Sequence, residues 1–180
     1  ANGVDDSPVS PETHAQALKG IGHMMTLPRD YARAEDIHVV LLELCDLVCQ
    51  RCRAKGVMGQ VVSVFCQGAD FDRPTGFGRQ MKMPSPANVV KPVYDTAKLL
   101  FARHWDGLPV RRVGVSLTDL QPDDPVQLSL FDDTERRLAL ERAMDRIRER
   151  FGQASILRAA SLTSAGQARD RADKIGGHRK

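Results

Sequence analysis

The chain has 180 residues, 42% hydrophobic and 27% charged, with a net charge of +3. That length buries a core without disulfide or metal staples, and no apolar run approaches the ~18 residues a membrane span requires, so a soluble globular protein is expected. The N-terminus lacks the basic and apolar regions of an export leader, and three of the four cysteines crowd onto one predicted helix. No disulfide framework emerges, and a reducing, cytoplasmic location is expected.

The charge is unevenly spread. Residues 1–16 carry −3, residues 17–120 +4, residues 121–133 −4 and residues 134–180 +6. A basic body is compatible with a phosphate backbone as partner.

Residues 1–17, with prolines and no apolar periodicity, read as a connector from something larger. From Leu18 to Tyr31 the run Lys19 to Leu27 is extended in character and is expected to end at Pro28, giving a first strand. Ile37, Leu41, Leu44, Val48 and Cys52 then recur at helical spacing, widened by Val40 and Leu47 and stopped by Lys55-Gly56. Val57 to Cys66 and Gly76 to Met83 are β-rich and pair as a hairpin around Asp70, Asp72, Pro74 and Gly76. A second helix is expected after Pro84-Ser85-Pro86, capped by Asn88, with Val93, Ala97, Leu100 and Phe101 as its stripe and an end by Trp105-Asp106-Gly107. Val110 to Thr118 is the last strand, with Val113, Val115 and Leu117 on one side and Arg112, Ser116 and Thr118 on the other.

The order is β-α-β-β-α-β, the split βαβ arrangement. It predicts an α+β domain over 18–120, with a four-stranded sheet, both helices on one face and the other face open. A linker follows at 121–133. Beyond it, Leu140, Met144, Ile147 and Phe151 build a third amphipathic helix that Thr134 caps and Gly152 terminates. The last stretch, Gln167 to Lys180, reads as a basic mobile tail, so that 134–180 is a C-terminal helix and tail.

No catalytic centre is legible. Cys45-x-x-x-Cys49-x-x-Cys52 has the letter spacing of a cluster motif, but it lies inside a periodic helix, where these residues behave as small hydrophobes and Cys66 as a strand core residue. His14, His23, His38, His104 and His178 show no ligand spacing. The paired carboxylates Asp5-Asp6, Asp123-Asp124 and Asp132-Asp133 fall in connectors with no rigid scaffold to aim them. Gly20-Ile21-Gly22 and Gly76-Phe77-Gly78 match neither the dinucleotide nor the P-loop pattern.

The open sheet face is more informative. Arg112, Gln80 and Lys82 alternate outward, while Lys19 and Arg111 sit near strand starts. Arg111 has the parity of the helix-covered side. Such a face can follow phosphates by charge and backbone amides, or it can be a solvated polar surface. In the linker, Gln127-Leu128-Ser129-Leu130-Phe131 holds three large apolar residues among acids. Exposed, each forfeits roughly 1.5–3 kcal/mol, so the segment reads as a docking peptide or as a strip packed on the protein's own body.

Two resemblances meet in this chain. The peptide Gln-Leu-x-Leu-Phe is similar to that by which bacterial DNA polymerases and repair factors bind the sliding clamp. The strings Lys19-Gly20-Ile21-Gly22-His23 and Pro109 to Val115 resemble the first and last strands of the little-finger domain of Y-family translesion DNA polymerases. The longer strings Lys19 to Tyr31 and Lys174-Ile175-Gly176-Gly177-His178 resemble the UvrX-like Gram-positive branch of that family.

The resemblance implies a module that grips double-stranded template-primer DNA, adding Gly22 and His23 to a contact set of Lys19, Gln80, Lys82, Arg111 and Arg112. It also implies a sliding-clamp peptide of Gln127, Leu128, Leu130 and Phe131, and makes residues 1–17 the tether from a thumb. The metal-binding carboxylates, and with them Mg2+, belong to a palm domain absent here, so no cofactor and no nucleotide transfer are expected of this chain. The main rival is a stand-alone clamp-binding adaptor with little DNA affinity. A small metalloenzyme built on the cysteines lacks a ligand set.

Overall fold

The computed structural model describes residues 18–70, 72, 74–123, 134–175 and 178–179. Four strands, β1 (Gly20–Tyr31), β2 (Val57–Gln67), β3 (Gly76–Ala87) and β4 (Val110–Pro122), form one sheet in the order β1-β4-β2-β3. Every neighbouring pair is antiparallel. Helices α1 (Ala34–Ala54) and α2 (Val90–His104) connect the strands and share one core with the sheet. The expected α+β order and the open face are both present.

Alternation decides which side of each strand is buried. Val62, Val64 and Cys66 of β2 and Val113, Val115 and Leu117 of β4 point into the core. They meet Ile37, Val40, Leu41, Leu44 and Val48 of α1 and Val93, Ala97, Leu100 and Phe101 of α2. Cys45, Cys49 and Cys52 lie on the same side of α1, fully buried. Burial pushes the Cys52 thiol up to about 11 and that of Cys66 to about 12, and raises Cys45 and Cys49 as well. These thiols pack as small apolar groups and stay protonated, far from the thiolate form that reacts or ligates.

Three local expectations change. β1 does not end at Pro28 but runs to Tyr31, with an irregularity between Thr26 and Tyr31. Pro84 and Pro86 lie within β3, not between strand and helix. Both strands are sheet edges, where a residue without an N–H interrupts no ladder on its outer side. Nor does Asn88 cap α2. Its Nδ2 donates to the Val57 carbonyl at 3.2 Å, and the Val90 N–H at the start of α2 donates to both Glu141 carboxylate oxygens at 2.9 and 3.2 Å.

Glu141 belongs to α3 (Thr134–Phe151), so this cap is borrowed from far along the chain. The same carboxylate pairs with Arg53 at 2.5 Å, and Asp145 pairs with Arg53 at 2.6 Å. One turn further, Arg148 pairs with Asp46 at 2.7 Å, where Arg158 joins at 3.0 Å. Buried ions of this kind cost several kcal/mol each to desolvate, a penalty offset only when every partner is in place.

Residues 159–173 are held against α1, not splayed as a tail. Between a 3-10 turn (Ala159–Leu162) and a short helix, α4 (Ala168–Ala172), the Gln167 N–H donates to the Glu43 carboxylate at 3.0 and 3.1 Å. The Gln167 side chain donates to the Tyr31 hydroxyl, which in turn donates to the Ala165 carbonyl, both at 3.0 Å. The chain then forms a two-stranded ribbon of β5 (Lys174–Ile175) and β6 (His178–Arg179). No helix among the described residues is long and apolar enough to cross a membrane.

Candidate nucleic-acid interface

The register of the sheet arranges its open face into cross-strand rows. Reading from β1 across β4 and β2 to β3, one row is Gly20, Thr118, Val61 and Lys82, and the next is Gly22, Ser116, Ser63 and Gln80. Met24, Gly114, Phe65 and Gly78 follow, then Thr26, Arg112, Gln67 and Gly76. The second and third rows floor a shallow depression. At a strand spacing of about 4.8 Å the face is about 14 Å wide, comparable with the ~12 Å major groove of B-DNA.

Small residues dominate its centre because the strands approach closely there. A Cβ at Gly22 would lie 2.7 Å from the Ser116 Cβ and 3.1 Å from the Val115 carbonyl oxygen. Any larger residue at that position would push β1 off β4. The result is a floor of glycine and hydroxyl groups crossed by the apolar side chains of Met24 and Phe65, on which a bulky partner can lie close to the backbone at Gly22.

The cations stand at the margins. Lys82 pairs with Asp119 at 3.2 Å, both exposed, where Asp119 takes a left-handed φ of 54° at the far end of β4. Arg112, near the diagonally opposite corner, donates to the Gln67 side-chain oxygen at 3.3 Å. Each is held by one weak exposed contact that a phosphate could replace.

Four of the residues singled out from sequence share this face: Gly22, Gln80, Lys82 and Arg112. Lys19 stands exposed one residue ahead of β1. Two of the set lie elsewhere. Arg111 has the opposite parity to Arg112 and pairs with Asp30 of β1 at 3.3 Å.

His23 shares its parity with the core residue Ile21 and lines a cleft of about 700 Å³ bounded also by Glu43 and Arg51 of α1 and by Gln153 and Arg171 of the C-terminal segment. Burial, then the Arg51 and Arg171 charges, hold the His23 imidazole below its usual range. Its protonated form is therefore disfavoured. Parity places Ser116 and Thr118 on the same side as Arg112 but gives them no role, and sequence does not single out Ser63, since only the register brings these hydroxyls into the rows of Gln80 and Lys82. The peptide residues Gln127, Leu128, Leu130 and Phe131 lie outside the described residues.

The chain matches the impB/mucB/samB family C-terminal domain over residues 18–130. It is 56% identical to "DNA polymerase IV 2" of Bacillus subtilis over the whole chain, which spans 44% of that protein. It is 45% identical to the DNA polymerase IV of Pelotomaculum thermopropionicum over 95% of the chain and 42% of that protein. A Bacillus subtilis protein named UvrX is 37% identical over 99% of the chain and 43% of its own length. Among solved structures, a complex of the β-clamp processivity factor and the little finger domain of PolIV aligns at 19% identity and a TM-score of 0.47, over 63% of this chain and 99% of that one. The chain thus spans under half the length of the relatives it matches, and by its match over residues 18–130 it belongs to the impB/mucB/samB family, as a bearer of the C-terminal domain.

Proposed function

We propose that this chain is the duplex-binding little finger, with its clamp-docking extension, of an error-prone translesion DNA polymerase whose nucleotide-transfer chemistry lies in other parts of the protein. The observation that carries the reading is the open face. It is a floor of Gly, Ser and Thr crossed by Met24 and Phe65, wide enough to lie along a groove, with Lys82 at one corner and Arg112 towards the opposite end, in a family whose relatives include DNA polymerases IV. Hydroxyls, backbone amides and marginal cations position a phosphate backbone without reading bases, the kind of grip a lesion-tolerant polymerase needs.

Fluorescence anisotropy with duplex DNA tests it. Binding should be sequence-indifferent and fall steeply with salt, and Lys82→Ala with Arg112→Ala should flatten the slope of log affinity against log salt by roughly two units, about one for each phosphate no longer neutralised. Unchanged binding in the double variant would mean that DNA does not lie on this face. The adaptor reading draws on the scarcity of cations on the face and predicts no duplex binding at physiological salt.

The Gln127 to Phe131 segment supplies the second half of the proposal, docking on a sliding clamp with Leu128, Leu130 and Phe131 as apolar anchors and Gln127 at the pocket rim. Leu130→Ala with Phe131→Ala should abolish clamp binding, since buried anchors are often worth about 2 kcal/mol or more each. Duplex affinity and thermal midpoint should stay as they were. A large fall in the midpoint with clamp affinity intact would make the segment core, not handle.

A further inference from the structure

Helix α3 is turned with its apolar side outward. On a wheel of 100° per residue, Leu140, Ile147 and Phe151 fall within roughly 40° of one another, yet they are 61%, 37% and 65% exposed. The residues that meet the body are Glu141, Asp145 and Arg148, through their ion pairs with Arg53 and Asp46. Met144, between the two sides, is buried. Phe151 has the Arg150 guanidinium over its ring at 5.2 Å, but a helix that docks by its charges and leaves three large apolar side chains largely exposed gives up stability on both counts, unless another surface covers the stripe.

The charges beside the stripe bear on what that surface is. Along its free margin run Arg136, Arg146 and Arg150, all exposed. A second copy packed by two-fold symmetry would set this arginine ridge against itself. A partner whose apolar patch is edged with carboxylates complements it. The helix starts at Thr134, three residues after Phe131, so sequence spacing alone keeps whatever holds the 127–131 peptide close to the start of α3.

We propose that the Leu140, Ile147 and Phe151 stripe is a second contact surface for the protein that takes the 127–131 peptide, which on the reading above is a sliding clamp with an apolar, acid-edged surface beside its peptide pocket. The inference rests on that docking reading and adds to it a helix face outside the peptide. The clamp is then held at two linked points, and two weak contacts joined by a short connector bind as one stronger one.

Calorimetric titration of the Bacillus subtilis sliding clamp with the full chain, and with a synthetic peptide of residues 121–133, tests the idea. The chain should bind at least about tenfold more tightly than the peptide. Leu140→Ala with Phe151→Ala should bring the chain down to the peptide's affinity without lowering its thermal midpoint, since both positions are exposed. Equal affinities of chain and peptide, or a double variant that binds like the wild type, would overturn the inference while leaving the peptide's role intact. So would self-association, or binding to anionic vesicles, that the double variant abolishes. If neither chain nor peptide binds the clamp, the docking reading itself fails and this inference with it.

Discussion

Helices α1 and α3 are attached to the protein by opposite means. α1 meets the sheet through Ile37, Leu41, Leu44 and Val48, all without exposed surface, a contact that is non-directional and tolerant of repacking. α3 meets α1 through Arg53, Glu141, Asp145, Asp46 and Arg148, where each charge is satisfied only by its partner in place. The sheet side of the molecule is fixed by volume and the C-terminal side by pairing, so one side answers to cavities and the other to protonation and single-residue deletions.

The contrast is sharpest at Arg53. Arg53→Ala leaves the buried Glu141 with only the more distant Arg158, at 3.6 Å, as a cation and should cost about 3–5 kcal/mol, read as a lower urea midpoint. A cycle with Glu141→Gln should show strong coupling between the two positions, and additive losses would make this contact packing instead of pairing. On the other side, Leu44→Ala should cost about 2–5 kcal/mol by opening a cavity under α1, with little dependence on salt. If salt screened the Leu44 loss as strongly as the Arg53 one, the division between the two sides would collapse.

A smaller effect comes from pH. His23 is held below its usual range by burial and by Arg51 and Arg171, and His38 by burial and Lys98. The His38 Nε2 is buried without a hydrogen-bond partner, and its ring meets Phe101 edge-on at 5.3 Å. Both imidazoles bind protons less readily folded than unfolded. The unfolded state therefore takes up more protons, and stability rises with pH through this range. It should be complete above the ordinary histidine value of about 6.5 and fall as the pH drops below it. Thermal midpoints measured from about pH 7.5 to 5.5 should decline, and His23→Gln with His38→Gln should flatten that decline. A midpoint that rises on acidification would place the shifts in the wrong direction.

Much of this architecture was legible in the residues themselves. The α1 stripe from Ile37 to Cys52 and the alternation of β4 set the two-layer core, and Lys55-Gly56 marked the stop of α1, where Gly56 takes a φ of 62°. What escaped was relational. Pro28, Pro84 and Pro86 read as stops because local sequence does not say that β1 and β3 are edges. The spacing of Leu140, Ile147 and Phe151 says that they share a stripe, not which way it faces. Gln167 and Arg171 looked like tail because their partner, Glu43, lies 124 residues from Gln167. At the site, Gln80, Lys82 and Arg112 follow from parity, and so does the helix-side parity of Arg111, whereas Gly22 and His23 come with the family resemblance, which does not separate the two faces of β1.

Glu141 gives the fold a boundary of its own. The family match ends at residue 130, yet the carboxylate that completes the first turn of α2 comes from beyond that point. Trimming the protein to the matched span would leave the Val90 amide and the Arg53 guanidinium facing one another with no anion between them. The span of the family match is therefore smaller than the unit these contacts tie together, and exchanging this domain between relatives should succeed only when the C-terminal helix travels with it.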